Sequence, residues 1–299
     1  MAVRKSEVGR VAASLAITVV FWGGAFPLIK SAGRSYGAGE LALLRFFIAG
    51  VTLGIAAIVK RSPLPRRRDL WAFFLTGLLG VAIYHVCLNY GEEFVAAGTA
   101  SILINSAPVW AAVFASILLG EHISTRKGLG IAISFIGVVI LAFGEKGRFE
   151  FQPAALFVVT SAICAALYVI VQKRYLSDYG AITFTLWTVW AGVILLVPVF
   201  SVPLLRQLSL APLHATGEVC FLGVFPAATA YMTFAYATVR MPASRVMTFM
   251  YLIPPVAMAI SWVYLDEKPT CVSLWGGALA IGGVAVVNSA RAARSSVAG

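Results

Sequence analysis

The chain is divided into long apolar stretches that are joined by short polar connections. A helix needs about 20 mostly apolar residues to cross a membrane, whereas a barrel strand needs about ten alternating ones. These stretches are long and do not alternate, and a helix in lipid satisfies its own backbone hydrogen bonds. We therefore predict an all-α integral membrane protein with ten transmembrane helices, at residues 10–31, 38–60, 70–91, 93–119, 125–144, 153–176, 181–204, 211–238, 242–264 and 270–291.

The composition excludes an ordinary soluble domain. The 299 residues are 60% hydrophobic and 12% charged, whereas soluble domains are about 45–50% apolar and about 25% charged. The cysteines form no CxxC motif and lie in apolar surroundings, which is typical of small core side chains. We predict no cofactor, no metal site and no catalytic residue.

Basic residues are distributed unequally between the two sides of the predicted helices. Sixteen of the 23 Lys and Arg residues fall on the side that carries both termini, six fall on the other side, and Arg45 lies within a helix. Because cytoplasmic loops are enriched in Lys and Arg, we expect both termini to be cytoplasmic. The net charge of +11 then reflects topology and not nucleic-acid binding, since the charges are scattered over short loops.

The sequence contains two related halves. The stretches PVWAAVFASILLGE at 108–121 and PPVAMAISWVYLDE at 254–267 both begin with proline and end with an acid. Upstream, FWGGAFPLIK at 21–30 lies over ICAALYVIVQ at 163–172. Short apolar stretches also align by chance, but four pairs share the offset of 146: Pro108 and Pro254, Glu121 and Glu267, Gly130 and Gly276, and Gly137 and Gly283.

This repeat predicts two five-helix halves, at residues 1–147 and 148–299. Because five is an odd number, the second half enters the membrane from the opposite side. Inverted repeats of this kind are a known transporter architecture, in which one fold can open to either side.

These motifs resemble those of the EamA-type family of the drug/metabolite transporter superfamily. The likeness rests on an apolar span opened by proline and closed by LGE or a variant, followed by a Gly-containing span. It reads APVWAAVFASILLGEHIS and GLGIAISFIGVVIL in the first half, and IPPVAMAISWVYLDEKPT and WGGALAIGGVAVV in the second. FWGGAF in the first span fits too, whereas LDE in the second copy departs from LGE. The aromatic interior is most similar to that of bacterial exporters of aromatic amino acids.

The resemblance implies a basket of ten helices around a central cavity, in the bacterial inner membrane. The first, third, fourth, sixth, eighth and ninth spans would surround the cavity, and the fifth and tenth would pack at its periphery. The motif acids Glu121 and Glu267 would hold helix ends or loops in place.

Polar and aromatic residues within the spans are the candidates for the cavity wall, because polar groups inside a membrane tend to face a cavity or a partner. His85, Asn89 and Glu92 form one helical stripe, which we expect to run to the outer mouth. Alternatively, His85 only bonds a neighbouring helix. The predicted substrate-binding residues are Trp22, Tyr84, His85, Asn89, Ser101, Asn105, Tyr168, Tyr231 and Tyr251.

Three prolines are candidates for a hinge or gate: Pro108, Pro254 and Pro255. A proline leaves a carbonyl one turn upstream without its donor, so the helix can bend there. Bends at two repeat-related points suit a gate, although prolines are also common in membrane helices.

Charged residues are nearly missing from the predicted membrane interior. None of the twelve Asp and Glu residues is placed at mid-membrane, so neither a buried proton-carrying carboxylate nor a counter-ion for cationic drugs is expected. His85 could still exchange a proton near neutral pH. Arg45 could extend outward, bind a helix end or hold a substrate carboxylate.

The sequence therefore predicts a transporter, an exporter or facilitator of amino acids and similar small amphipathic metabolites that works by alternating access. Its partners would be the small-molecule substrate and the lipid bilayer; the oligomeric state stays open and is compatible with a monomer. One alternative is a carrier of nucleotide sugars or phosphorylated metabolites, which would want several cationic cavity residues. A remote alternative is an intramembrane enzyme, for which the sequence offers no paired acids, HExxH or GxSxG motif.

Overall fold

The computed structural model describes residues 5–119, 123–143, 152–240, 246 and 249–295. Over these residues the structure is helical and contains no strand. We number its α-helices along the chain: α1 (Lys5–Ala32), α2 (Ala38–Val59), α3 (Leu70–Gly77), α4 (Tyr84–Phe94), α5 (Ala97–Ile104), α6 (Ala107–Leu119), α7 (Thr125–Phe143), α8 (Ala155–Tyr179), α9 (Ala181–Leu210), α10 (Leu213–Val224), α11 (Ala230–Arg240), α12 (Ile253–Leu265) and α13 (Cys271–Ser295).

The helices of the structure agree in length and composition with an integral membrane protein. Eight helical segments of the described chain are long and apolar enough to cross a membrane, and they correspond to the first eight predicted spans. The ninth and tenth predicted spans correspond to the shorter apolar helices Ile253–Leu265 and Cys271–Val287. Part of the ninth span, residues 242–245, 247 and 248, lies outside the described residues, as does Glu121.

Several spans are locally irregular, and the irregularities recur at one spacing. A π-helical stretch joins α3 to α4 at Leu78–Ile83, and another joins α10 to α11 at Phe225–Thr229. A turn at residues 105–106 separates α5 from α6, and a turn at residues 251–252 precedes α12. The second member of each pair lies 146 residues after the first, apart from one extra residue at the start of the first π-helical stretch.

Prolines account for part of this pattern, because proline has no amide hydrogen with which to continue an α-helix. Pro226 stands at the start of the second π-helical stretch, and Pro254 and Pro255 stand in the first turn of α12. Pro108 is the second residue of α6. The bends predicted at the prolines are thus helix interruptions of two residues.

Glycines of α7 and α13 allow these two helices to approach each other closely. A Cβ atom at Gly283 would lie 2.6 Å from the carbonyl oxygen of Gly130, and one at Gly137 would lie 2.6 Å from that of Gly276. Small residues allow membrane helices to approach closely, where dispersion contacts between backbones hold them together. Because Gly130 faces Gly283 and Gly137 faces Gly276, the two helices run antiparallel.

The two halves of the chain pack against each other through several helices. α1 contacts α11 and α12, α2 contacts α9 and α10, and α4 contacts α8. The turn from α8 to α9 is made at Gly180, whose φ of 72° is a conformation that favours glycine. This arrangement brings residues of α1, α2 and α4 opposite residues of α11, where they enclose an internal space.

Candidate functional site

A cavity of about 270 Å³ lies between the two halves of the chain. Its wall is formed by α1, α2, α4, the start of α6, the second π-helical stretch and α11, together with residues at the turns before α6 and α12. Six of its eighteen described lining residues are aromatic: Trp22, Phe26, Phe46, Tyr84, Tyr231 and Phe234. Such concave apolar spaces with a few polar groups are typical of small-molecule sites.

Trp22 of α1 organises one side of the cavity. Its ring packs against Tyr231, with centroids 5.4 Å apart and planes at 71°, and against Phe234 at 5.2 Å and 42°. Its Nε1 donates a hydrogen bond of 3.1 Å to the Pro226 carbonyl. That bond uses an oxygen in the second π-helical stretch, so the irregular backbone fixes the ring across the interface between the halves.

His85 of α4 lies on the opposite side and is 6% exposed. Its ring stands between Phe46 and Tyr84, with centroids 4.3 Å and 4.4 Å away. The Nδ1 atom has no hydrogen-bond partner among the described residues. His85 lines the cavity, and its Nδ1 is a buried nitrogen without a partner in the described structure.

Arg45 of α2 also lines the cavity, although it is 5% exposed. Its guanidinium carbon lies 5.3 Å from the centroid of the Phe46 ring. Neither Nε nor Nη1 has a hydrogen-bond partner in the described structure. Of the described lining residues, Arg45 is the one Lys or Arg, and none is Asp or Glu.

Residues at the helix interruptions lie on the same wall. Ile104 and Met250 line the cavity, and each is followed four residues later by a proline, Pro108 and Pro254. Because proline cannot donate, neither carbonyl receives the usual i+4 amide bond. Asn105 lies in the turn between α5 and α6 and lines the cavity as well. Its Nδ2 donates a hydrogen bond of 2.8 Å to the Ser101 carbonyl.

The structure thus places five of the nine predicted binding residues on the cavity wall: Trp22, Tyr84, His85, Asn105 and Tyr231. Of the predicted hinge residues, Pro108 also lines the cavity. Their role in binding stays a prediction. The sequence reasoning did not select Phe26, Phe46 or Phe234. A signal was present, because Phe26 lies one helical turn after Trp22 and Phe234 lies three residues after Tyr231.

The other four predicted residues lie outside the lining of this cavity in the described structure. Asn89 donates its Nδ2 to the Ala38 carbonyl at 2.8 Å, and Ser101 donates to the Gly98 carbonyl at 2.6 Å. Tyr168 packs over Gly80, and Tyr251 packs against a small cluster of valines. Pro254 and Pro255 also lie outside the lining.

An ion pair connects the two halves at one end of α1. Lys30 Nζ lies 2.7 Å from Glu267 Oε1 and donates to the Val95 carbonyl at 2.7 Å. Glu267 Oε2 accepts the backbone N–H of Ala97 at 3.0 Å, at the start of α5. The motif acid Glu267 therefore binds both the start of α5 and a lysine of α1.

Glu92 of α4 belongs to the stripe that was expected to run to the outer mouth. It is fully buried, and neither carboxylate oxygen has a hydrogen-bond partner among the described residues. No group of three or more His, Cys, Asp or Glu side chains in the described chain could hold a metal ion.

Comparisons with known proteins agree on one family. The model of the EamA-like transporter family matches residues 10–143 and again residues 152–289. An uncharacterized transporter, YdfC, of Bacillus subtilis strain 168 is 36% identical over 282 residues, covering 94% of this chain and 91% of its own. A probable terminal-alkyne amino-acid exporter of Streptantibioticus cattleyicolor is 35% identical over 275 residues, covering 92% of each chain.

A solved crystal structure has a similar fold. It superposes with a TM-score of 0.63 at 19% identity and covers 92% of this chain and 95% of its own.

Proposed function

Because the chain belongs to the EamA-like transporter family and is a membrane transporter, we propose that it carries amino acids, aromatic ones included, and similar small amphipathic metabolites. The observation that carries this proposal is the aromatic cavity of about 270 Å³ between the halves. That volume is close to the lower end of the about 300–1,000 Å³ of small-molecule sites. The similarity to a probable amino-acid exporter supports the same substrate class.

The mechanism that we propose is alternating access between two inverted five-helix repeats, residues 1–147 and 148–299. The mirrored glycine contacts of α7 and α13 support it, since each contact recurs with the halves exchanged. The paired π-helical stretches and turns support it as well. Interrupted helices at the turns beside Pro108 and Pro254 would act as hinges, because few backbone bonds oppose bending there.

For the whole molecule we propose a basket of ten helices in a bacterial inner membrane, with both termini cytoplasmic. The charge distribution of the loops supports this orientation. In it, the Lys30–Glu267 ion pair lies on the outer side.

A carrier of nucleotide sugars or phosphorylated metabolites remains the second candidate. Such substrates bear two or more negative charges, and Arg45 is the one Lys or Arg on the described cavity wall. The cavity therefore favours a substrate with a single anionic group. An enzyme is not proposed, because the family and the relatives are transporters.

Transport by the purified protein in liposomes tests the proposed function. We expect uptake of labelled Phe, Trp, Met and Thr above that of protein-free liposomes, measured with and without a pH gradient. Uptake at the same rate with and without the pH gradient would indicate a facilitator. Uptake that requires the gradient and is lost in His85→Ala would indicate proton coupling. If nucleotides but not amino acids compete for uptake, the second candidate replaces the first.

Trp22 is expected to set the preference for aromatic substrates. Trp22→Leu removes a ring from the cavity wall, and we expect KM for Phe and Trp to rise about 3- to 10-fold, since an aromatic contact contributes about 0.5–1.5 kcal/mol. KM for Thr should change less. Trp190→Phe is the control, because Trp190 packs against Phe47 and Gly50 away from the cavity. Equal losses for Phe and Thr would contradict this role.

A further inference from the structure

The guanidinium of Arg45 is a buried cation whose contacts within the described protein are incomplete. It is 95% removed from solvent, and no described carboxylate lies within ion-pair distance of it. Two of its three nitrogens have no hydrogen-bond partner. A buried charge is costly unless it is paired and hydrogen-bonded. Arg45 is therefore suited to a partner that comes from outside the chain.

The surroundings of Arg45 define the chemistry of that partner. The guanidinium presents its N–H groups in a planar fork, which matches the two oxygens of a carboxylate. Aromatic and aliphatic side chains form the rest of the wall, with His85 and Asn105 as further polar groups. One cation in an apolar wall balances one negative charge, so a carboxylate fits better than a phosphate dianion.

Glu92 is the competing internal partner for Arg45. The two residues form no ion pair or hydrogen bond in the described structure. Glu92 also does not line the cavity, whereas Arg45 does. A ligand in the cavity can therefore reach Arg45 without displacing an existing partner.

From this geometry we propose that Arg45 binds the carboxylate of the transported substrate. The inference rests on the proposed function and narrows its substrate class to molecules with one carboxylate and an apolar side chain. Ile104 and Met250 line the same wall, and their carbonyls, which lack i+4 donors, would accept hydrogen bonds from an ammonium group. Together these groups would recognise a zwitterionic amino acid at both of its charges.

The test compares ligands that differ in one group, by binding to the purified protein in detergent. The probes are L-phenylalanine, L-phenylalaninamide without the negative charge, 3-phenylpropionate without the amino group, and phenyl phosphate. We expect phenylalanine and 3-phenylpropionate to bind about 10- to 100-fold more tightly than the amide, since a hydrogen bond to a charged group contributes a factor of that order. This comparison uses the wild-type protein, so it does not depend on the folding of a variant.

Two variants then assign the effect to the guanidinium. Arg45→Gln should bring the affinity for phenylalanine down to that for the amide, and Arg45→Lys should keep part of the difference because it keeps the charge without the fork. Arg68→Gln is the matched control, because the Arg68 side chain is 74% exposed and does not line the cavity, and it should retain the preference for carboxylates.

The possible results separate this inference from the proposed function. If the amide binds as tightly as phenylalanine while amino acids are still transported, the inference is overturned and the proposed function stands. If 3-phenylpropionate binds in an Arg45-dependent way but no amino acid is transported, the inference stands and the proposed substrate class fails. Tighter binding of phenyl phosphate than of both carboxylates, or no binding of any probe, overturns the inference.

Discussion

Alanine at Gly283 is expected to destabilise the protein, whereas alanine at the neighbouring Gly282 is expected to leave its stability unchanged or slightly higher. A Cβ atom at Gly283 would lie 2.6 Å from the Gly130 oxygen and would also overlap backbone atoms of Ser134. At Gly282 nothing lies within 4 Å of an added Cβ. Both residues belong to α13, so the pair separates close packing from helix propensity.

The expected loss for Gly283→Ala is about 1–3 kcal/mol, the usual cost of forcing extra atoms into a packed interface. Relief is difficult because backbone atoms, and not the ends of flexible side chains, are in the way. Thermal unfolding of each purified variant in detergent, followed by tryptophan fluorescence, measures the effect. Equal stability of the two variants would show that α7 and α13 do not pack as described.

The same experiment extends to the other half. Gly137 meets the backbone of Ala280 and Gly276 in the way that Gly283 meets Ser134 and Gly130. Gly137→Ala should therefore destabilise the protein by a similar amount. A strong effect at one glycine without an effect at the other would contradict the mirrored packing.

Loss of the Lys30–Glu267 ion pair is expected to have the second large effect. The two side chains are 18% and 21% exposed, and each makes a further bond to the backbone around the start of α5. Removal of one partner costs about 0–1 kcal/mol for an exposed pair and about 3–5 kcal/mol for a buried one. We expect about 1–3 kcal/mol for Lys30→Met, because Glu267 is then left partly buried and unpaired.

A double-mutant cycle isolates the pair. Lys30→Met with Glu267→Gln leaves no unpaired charge, so it should cost less than the sum of the two single changes. Asp178→Asn is the control, since Asp178 pairs with Arg66 at 3.8 Å and both side chains are about half exposed. Additive costs in the cycle, or an equal loss for Asp178→Asn, would mean that the two halves are not held together by this contact.

The sequence was sufficient to predict the helices because the period and length of apolar stretches reflect the membrane directly. It also identified the repeat, because both halves keep the same glycines and prolines. Gly137 and Gly283 allow close helix packing, and Pro108 and Pro254 follow a helix interruption. The π-helical stretches were not predicted, since Gly80 and Pro226 permit several backbone conformations and packing between helices selects among them.

The candidate site was predictable in part. His85 and Asn89 share a helical face, but the Asn89 side chain donates a hydrogen bond to the carbonyl of Ala38 on a neighbouring helix. The sequence shows which residues of a helix share a face, but it does not show which neighbouring helix packs on that face. It therefore could not show that His85 lines the cavity and Asn89 does not. The position of Arg45 at the cavity wall likewise depends on how α2 packs against α9, α10 and α4.

The pairing of α7 with α13 has a consequence for biosynthesis. The glycine face of α7 meets its partner only after about 146 further residues have been made, which takes on the order of ten seconds at ribosomal speed. During that interval the first half is in the membrane with this face in contact with lipid or with an insertion factor. Nascent chains that stop before Cys271 should therefore be recognised as incomplete and degraded, although most of their helices are already inserted.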